Sequence, residues 1–241
     1  MAVHERAPAE GVDAAGTVGA ASALAALEAR ITTCRACPRL VEWRERVARE
    51  KRAAFAGETY WGRPLPGFGD PEAAIYVLGL APAAHGGNRT GRVFTGDRSA
   101  DFLYASMHRT GFANQPTSIH PGDGLRLAGA WVTAAVRCAP PANKPTPAER
   151  DRCLPYAREE IELLPGVRVV VCLGKFAWDA AARLFGVRPL PRFGHGFEHP
   201  VDGGPLMLGC FHPSQQNTFT GRLTEAMMDA VFARARELTV A

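Results

Sequence analysis

Four uninterrupted apolar runs of strand length, residues 74–80, 130–136, 167–173 and 206–211, constrain the fold of this chain more than any other feature. A strand with one wet face alternates apolar and polar side chains. A run without alternation is buried on both faces, as in a parallel sheet covered by helices. Helical patterns separate the runs: residues 100–110 closed by Gly111, 147–164, 175–185 closed by Gly186, and 223–238 with Leu223, Ala226, Met227, Ala230, Val231 and Leu238 along one face. Strands alternating with helices predict a parallel sheet in a three-layer α/β/α domain.

The 241 residues, 46% of them hydrophobic, suit one such domain. Residues 1–21 are rich in Ala and Gly with no periodic apolar face and read as a disordered tail, leaving 22–241 as a single domain. From Ser22, the spacing of Leu24, Leu27 and Ile31 predicts a short helix, and a second helical pattern runs from Leu40 to about Phe55. Residues 57–71 hold too many Gly and Pro for regular structure, and their aromatic side chains read as anchors on the core. There is no signal core and no apolar run of about eighteen residues, so neither export nor a membrane span is indicated and a cytoplasmic protein is expected. Twenty-eight Lys and Arg against 24 Asp and Glu give a net charge of +4, a mild bias compatible with a polyanion.

In open parallel sheets ligands bind beyond the carboxyl ends of the strands, so the loops after the runs carry the chemistry. The first loop follows Gly79, Leu80 and Ala81 and contains Phe94 and Asp97; the second contains Asn143; the last begins HPSQQN at His212. No G-K-[ST] or G-x-G-x-x-G occurs, which argues against a nucleoside triphosphate or dinucleotide. Phe94 offers a flat surface for a planar base, and Asp97 a carboxylate to position or deprotonate a water. His212 offers a group that stabilises a departing anion, and Asn143 an amide for a base edge or for the same water. Each also has a structural role open to it: Phe94 in the core, Asp97 capping a helix from Ser99, and His212 as a satisfied structural histidine. On one sheet edge the set fits cleavage of an N-glycosidic bond, in which an oxocarbenium-like sugar forms as the base leaves. Arg89, Arg92 and Arg222 lie near these loops as candidate phosphate contacts.

Of six cysteines, Cys172 and Cys210 sit inside apolar runs as small hydrophobes. Cys34, Cys37, Cys138 and Cys153 lie in polar or proline-punctuated segments and suit a four-thiolate site, either structural zinc or a 4Fe-4S cluster. One C-x-x-C knuckle with two separate cysteines suits the cluster better than zinc, which usually draws on two knuckles.

GLAPAAHGGNRTGRVFTGD at 79–97, VRCAPPANKP at 136–145, HPSQQN at 212–217 and the four cysteines together resemble the type 5 uracil-DNA glycosylases. The resemblance implies a three-layer α/β/α sandwich with a four-stranded, mainly parallel sheet, and favours the 4Fe-4S cluster. It implies a monofunctional glycosylase, a monomer acting on double-stranded or single-stranded DNA that carries uracil or other deaminated bases. Leu80 and Ala81 stand where other branches place the acidic or amide residue that handles water, so Asp97 takes that role, with His212 stabilising the leaving base and Asn143 in support. Ala134 stands where several relatives carry an Asn that reads the uracil edge, which implies a less selective pocket that also admits hypoxanthine and xanthine. Gly79, Leu80, Ala81, Phe94 and Ala134 are then expected at the base, and Ser214, Gln215, Gln216 and Asn217 in the loop that presses on DNA. A type 4 enzyme, which would want a polar residue at Leu80, and a non-catalytic iron–sulfur DNA-binding module are the competing readings.

Overall fold

The computed structural model describes residues 19–240. The four apolar runs form parallel strands, β2 (Ile75–Gly79), β3 (Ala130–Ala134), β4 (Val169–Leu173) and β6 (Leu206–Cys210), which are buried almost throughout. Two short strands, β1 (Phe68–Gly69) and β5 (Glu198–His199), pair antiparallel at the edges. The sheet order is β1-β3-β2-β4-β6-β5. The expected four strands are therefore the centre of a six-stranded sheet; two-residue strands are too short to show a period in the sequence. Short edge strands also limit further strand addition.

Register places Ile75 opposite Ala130 on one side and Val169 on the other. Because successive side chains point to opposite faces, Ile75, Val77, Val132, Val169, Val171 and Leu208 pack under α4 (Arg98–Arg109) and α8 (Glu225–Val240). Tyr76, Leu78, Trp131, Val170, Cys172 and Met207 face α1 (Ala20–Thr32), α5 (Pro147–Leu163) and α6 (Lys175–Leu184). Both faces are dry, which is why no run alternates. Cys172 and Cys210 are fully buried, and burial pushes the Cys210 thiol up to about 12.

Most of the predicted 1–21 tail lies outside the described residues, but Ala20 and Ala21 belong to α1. The second helix is shorter than expected: α2 (Pro38–Glu50) starts with Pro38 in its first turn and stops at Lys51, whose φ of 58° breaks the helix, and a separate 3-10 turn spans Ala53–Phe55. Two further short helices, α3 (Gly87–Thr90) and α7 (Gln215–Phe219), sit in the loops after β2 and β6. Among the described residues no helix is long and apolar enough to cross a membrane.

Candidate active site

The chain runs from β2 out to β3, back across the sheet to β4 and on to β6, so the loops leaving β2, β3 and β6 meet at one carboxyl edge. They line a cavity of about 570 Å³ that includes Leu80, Ala81, Phe94, Asp97, Asn143, His212, Ser214, Gln215 and Gln216. That volume suits a small planar ligand. Arg98, Ser99, Val93, Pro82 and Ala83 also line it; the sequence reading missed them, although Arg98 and Ser99 directly follow Asp97.

Two predicted base contacts, Gly79 and Ala134, and one predicted DNA-loop residue, Asn217, do not line the cavity. Gly79 and Ala134 are paired across β2 and β3 and buried. Gly79 leaves room for the Phe94 ring: a Cβ there would fall 2.5 Å from a ring carbon. Asn217 turns inward, and its Nδ2 donates to the His212 carbonyl at 2.8 Å. These residues shape the site from beneath rather than from its surface.

Asp97 takes the capping role and also lines the cavity. Its Oδ1 accepts from the Ser99 and Ala100 amides at 2.9 and 3.1 Å and so caps α4. Its Oδ2 lies against Gly86, where a Cβ would collide with it, and the carboxylate as a whole lines the cavity. Burial raises the Asp97 pKa, and the two amide bonds only partly offset that. His212 also lines the cavity, its ring centroid 6.1 Å from that of Phe94 and tilted by 36°. Burial lowers its pKa to about 4, so the imidazole is neutral at physiological pH. Asn143 follows Ala142 in a left-handed pair, φ 55° and 51°, that carries it to the cavity from the loop after β3.

Phe94 has a φ of 47°, a conformation that costs a bulky residue on the order of 1–3 kcal/mol. A buried polar network holds it there. Arg92 Nη2 donates to Asp123 Oδ2 at 2.7 Å and to Ser118 Oγ at 2.8 Å, and Nε donates to Thr95 Oγ1 at 3.0 Å. The Ser118 and Thr95 hydroxyls are 2.7 Å apart. Burial opposes ionisation of Asp123, but the Arg92 guanidinium and the Leu125 and Ile119 amides together hold its carboxyl well below the usual carboxylate range. This corrects the expectation that Arg92 contacts phosphate: it is 5% exposed and already engaged. Arg89 is likewise taken up by Glu58 and by the carbonyls of His85 and Gly96. Arg222 is exposed above the Phe211 ring, and Arg98 is exposed above Phe219, itself 67% exposed at the end of α7.

Cys37, Cys138 and Cys153 are buried together beside Leu40 and Val136, with Cys34 half-buried. Burial raises the thiol pKa of Cys37, Cys138 and Cys153, to about 12 at Cys138, and each also feels neighbouring thiols of the set. The four cysteines thus share one locality between the α1–α2 link, the exit of β3 and α5. Among the described residues no group of three or more His, Cys, Asp or Glu side chains is already placed to hold a metal ion. Beside them Arg44, 2% exposed, donates from Nη1 to Cys138 Sγ and from Nη2 to the Cys34 carbonyl, both at 3.3 Å. Its Nε is buried with no hydrogen-bond partner among the described residues. Four thiols are a donor set that a structural zinc or a 4Fe-4S cluster would accept, and the spare Arg44 N–H would suit an anionic group among them.

The doubly covered parallel sheet, with an aromatic, a carboxylate and a histidine at its carboxyl edge, falls in the span that the family model described as the Uracil DNA glycosylase superfamily matches, residues 66–236, and the chain belongs to that superfamily. Within it, the chain is 55% identical to the type-5 uracil-DNA glycosylase of Mycobacterium tuberculosis over 223 residues, 91% of this chain and 83% of that protein. The type-5 uracil-DNA glycosylases of Mycobacterium leprae and Thermus thermophilus are 53% and 54% identical, covering 91% and 86% of this chain and 97% and 94% of those proteins. The chain belongs to the type-5 uracil-DNA glycosylases of this superfamily.

Proposed function

We propose that the chain removes uracil from DNA by hydrolysing the N-glycosidic bond, and that it also removes other deaminated bases such as hypoxanthine and xanthine, leaving an abasic site. Uracil removal follows from membership of a family of enzymes that hydrolyse N-glycosyl bonds. One observation carries the chemistry: Phe94, Asp97 and His212 line a single cavity in which Leu80 and Ala81 occupy the positions after β2. The wider substrate range is supported by the absence of a side chain at Ala134 long enough to read a base edge; its methyl is buried beside Gly79.

The damaged nucleotide flips out of the helix, at a cost of a few kcal/mol that is least at a mispair, and its base stacks on Phe94. Backbone groups at Leu80 and Ala81 help hold it. As the C1′–N bond breaks, its electron pair leaves with the base, and the sugar becomes oxocarbenium-like. His212, neutral and therefore able to donate one N–H, stabilises the negative charge that develops on the base. Asp97, pinned through Oδ1, directs a water from Oδ2 to C1′; Asn143 supports the water or the base. The oxygen of that water becomes the sugar hydroxyl, and its proton leaves through the carboxylate or solvent. Ser214, Gln215 and Gln216 face the flipped nucleotide, while Phe219 wedges into the vacated step and Arg98 and Arg222 meet phosphates.

Cys34, Cys37, Cys138 and Cys153 hold a 4Fe-4S cluster in this reading. Such a group supplies one-electron chemistry when bound, and glycosidic hydrolysis moves no electrons, so its part is to clip α1 and α2 to the exit of β3. The protein acts as a cytoplasmic monomer on double- or single-stranded DNA. The test is a duplex carrying one deoxyuridine, incubated with the protein and treated with alkali. Scission at that site is expected, and likewise with deoxyinosine and deoxyxanthosine. An intact strand at excess protein would leave only the reading of a DNA-binding iron–sulfur module.

A further inference from the structure

The mechanism above leaves Arg44 unused, although a buried guanidinium is among the most expensive groups a fold can carry without a counter-charge. Arg44 lies on α2 and is 2% exposed. Its nearest carboxylate is Glu45 at 3.7 Å, and that group is already held by both terminal nitrogens of Arg35. What Arg44 does touch is the Cys138 sulfur and the Cys34 carbonyl, with Nε left over. Neutral thiols would leave its charge with only the Glu45 carboxylate that it shares with Arg35. A set of thiolates around an iron–sulfur group would compensate it and give the spare N–H an acceptor.

We propose that Arg44 is the counter-ion of the cluster: its guanidinium stabilises the negative charge on the iron–sulfur group and thereby sets the reduction potential. This rests on the reading that the four cysteines hold a 4Fe-4S cluster. Reduction adds one electron to the group with no bond made or broken in the protein, so the reduced form carries one more negative charge and is stabilised more by a buried cation than the oxidised form is. Hydrogen bonds to cluster sulfurs and local charge are the levers by which a protein tunes such potentials. The same residue ties the cluster to the active-site loop. The Arg44 carbonyl accepts from Asn88 Nδ2 at 3.2 Å, and Asn88, at 0% exposure, belongs to α3 between the first strand exit and Phe94. A second guanidinium, Arg152, donates to the Ala36 carbonyl beside Cys37, but it is exposed and its charge is screened by water. Buried and exposed arginines on one cysteine set make an internal comparison.

The experiment is a potentiometric titration with dithionite of the anaerobically purified full-length protein, read from the visible absorbance of the cluster, on the wild type, Arg44→Lys, Arg44→Gln and Arg152→Gln. Arg44→Gln is expected to favour the oxidised form about tenfold, a potential lower by about 59 mV for a one-electron couple, with Arg44→Lys in between and Arg152→Gln close to wild type. Iron retained in Arg44→Lys but lost from Arg44→Gln would support the same role through charge. A loaded Arg44→Gln protein with wild-type potential overturns the proposal, as does loss of iron from both Arg44 variants, since a cation would then be insufficient. A wild type with neither iron nor visible absorbance fails the cluster reading instead.

Discussion

At the scale of single residues, Asp97 and His212 are set by burial in opposite senses: the acid holds its proton to higher pH than usual, and the imidazole refuses one until about pH 4. Glycosylase activity should therefore fall on the acid side as Asp97 protonates and show no inflection near the ordinary histidine value; a rate profile from pH 5 to 9 checks both. Asp97→Asn keeps an oxygen for the Ser99 and Ala100 amides and removes the water-directing charge. It should lose about 10²-fold in kcat while its Tm at neutral pH rises, because a carboxylate whose folded pKa is raised loses stability as pH rises through that window. Asp97→Ala should lose the same activity and also about 1 kcal/mol for the cap, roughly 2–4 °C in Tm. His212→Ala should cost about 10²–10³-fold, and His212→Asn, which keeps an N–H donor, less. Stability tests the histidine independently. Its neutral form is fully favoured above about pH 6.5 and that contribution is lost as pH falls toward 4, so His212→Asn should lose less Tm on acidification than wild type.

At the scale of elements, the sheet was legible because each central strand is continuous, whereas β1 and β5 were invisible at two residues each. The α4 cap was legible at Asp97, since Asp before Arg98-Ser99-Ala100 is an N-cap pattern. The fates of Arg89 and Arg92 were not: a loop arginine reads the same whether it meets phosphate or a carboxylate, and Asp123 lies 31 positions beyond Arg92. Nor was the purpose of the glycines. Gly86 and Gly79 clear space for Asp97 Oδ2 and for the Phe94 ring. Gly86→Ala should thus lower activity at least ~10-fold, by the same route as Asp97 variants, with circular dichroism unchanged. In α7, Phe219→Ala should weaken turnover on duplex substrate more than on single strands, because only the duplex has a stacked step to fill. Equal losses on both would remove Phe219 from that role.

At the scale of the whole molecule, the four-cysteine locality joins the segment from α1 to α2 to the domain core, and a group held there only by the folded chain, as proposed for the cluster, would contribute its binding free energy to stability. Cys138→Ser should lose iron and lower Tm by roughly 10 °C, a loss of a few kcal/mol in a chain of this size, with α1 becoming protease-sensitive before the sheet; calorimetry and limited proteolysis read the two effects. The four cysteines could be grouped from residue type and spacing, and helical spacing places Arg44, four residues after Leu40 and three before Val47, on the buried stripe of α2; its contact with Cys138, 94 positions further on, could not be read from the sequence. The single carboxylate that both starts α4 and faces the cavity has one more implication. Exchanging one oxygen of Asp97 for nitrogen leaves the helix start, the Phe94 platform and the DNA-facing loop in place, so the shortest evolutionary path away from efficient catalysis ends not in an unfolded relic but in a protein that finds damage, holds it and cuts it slowly.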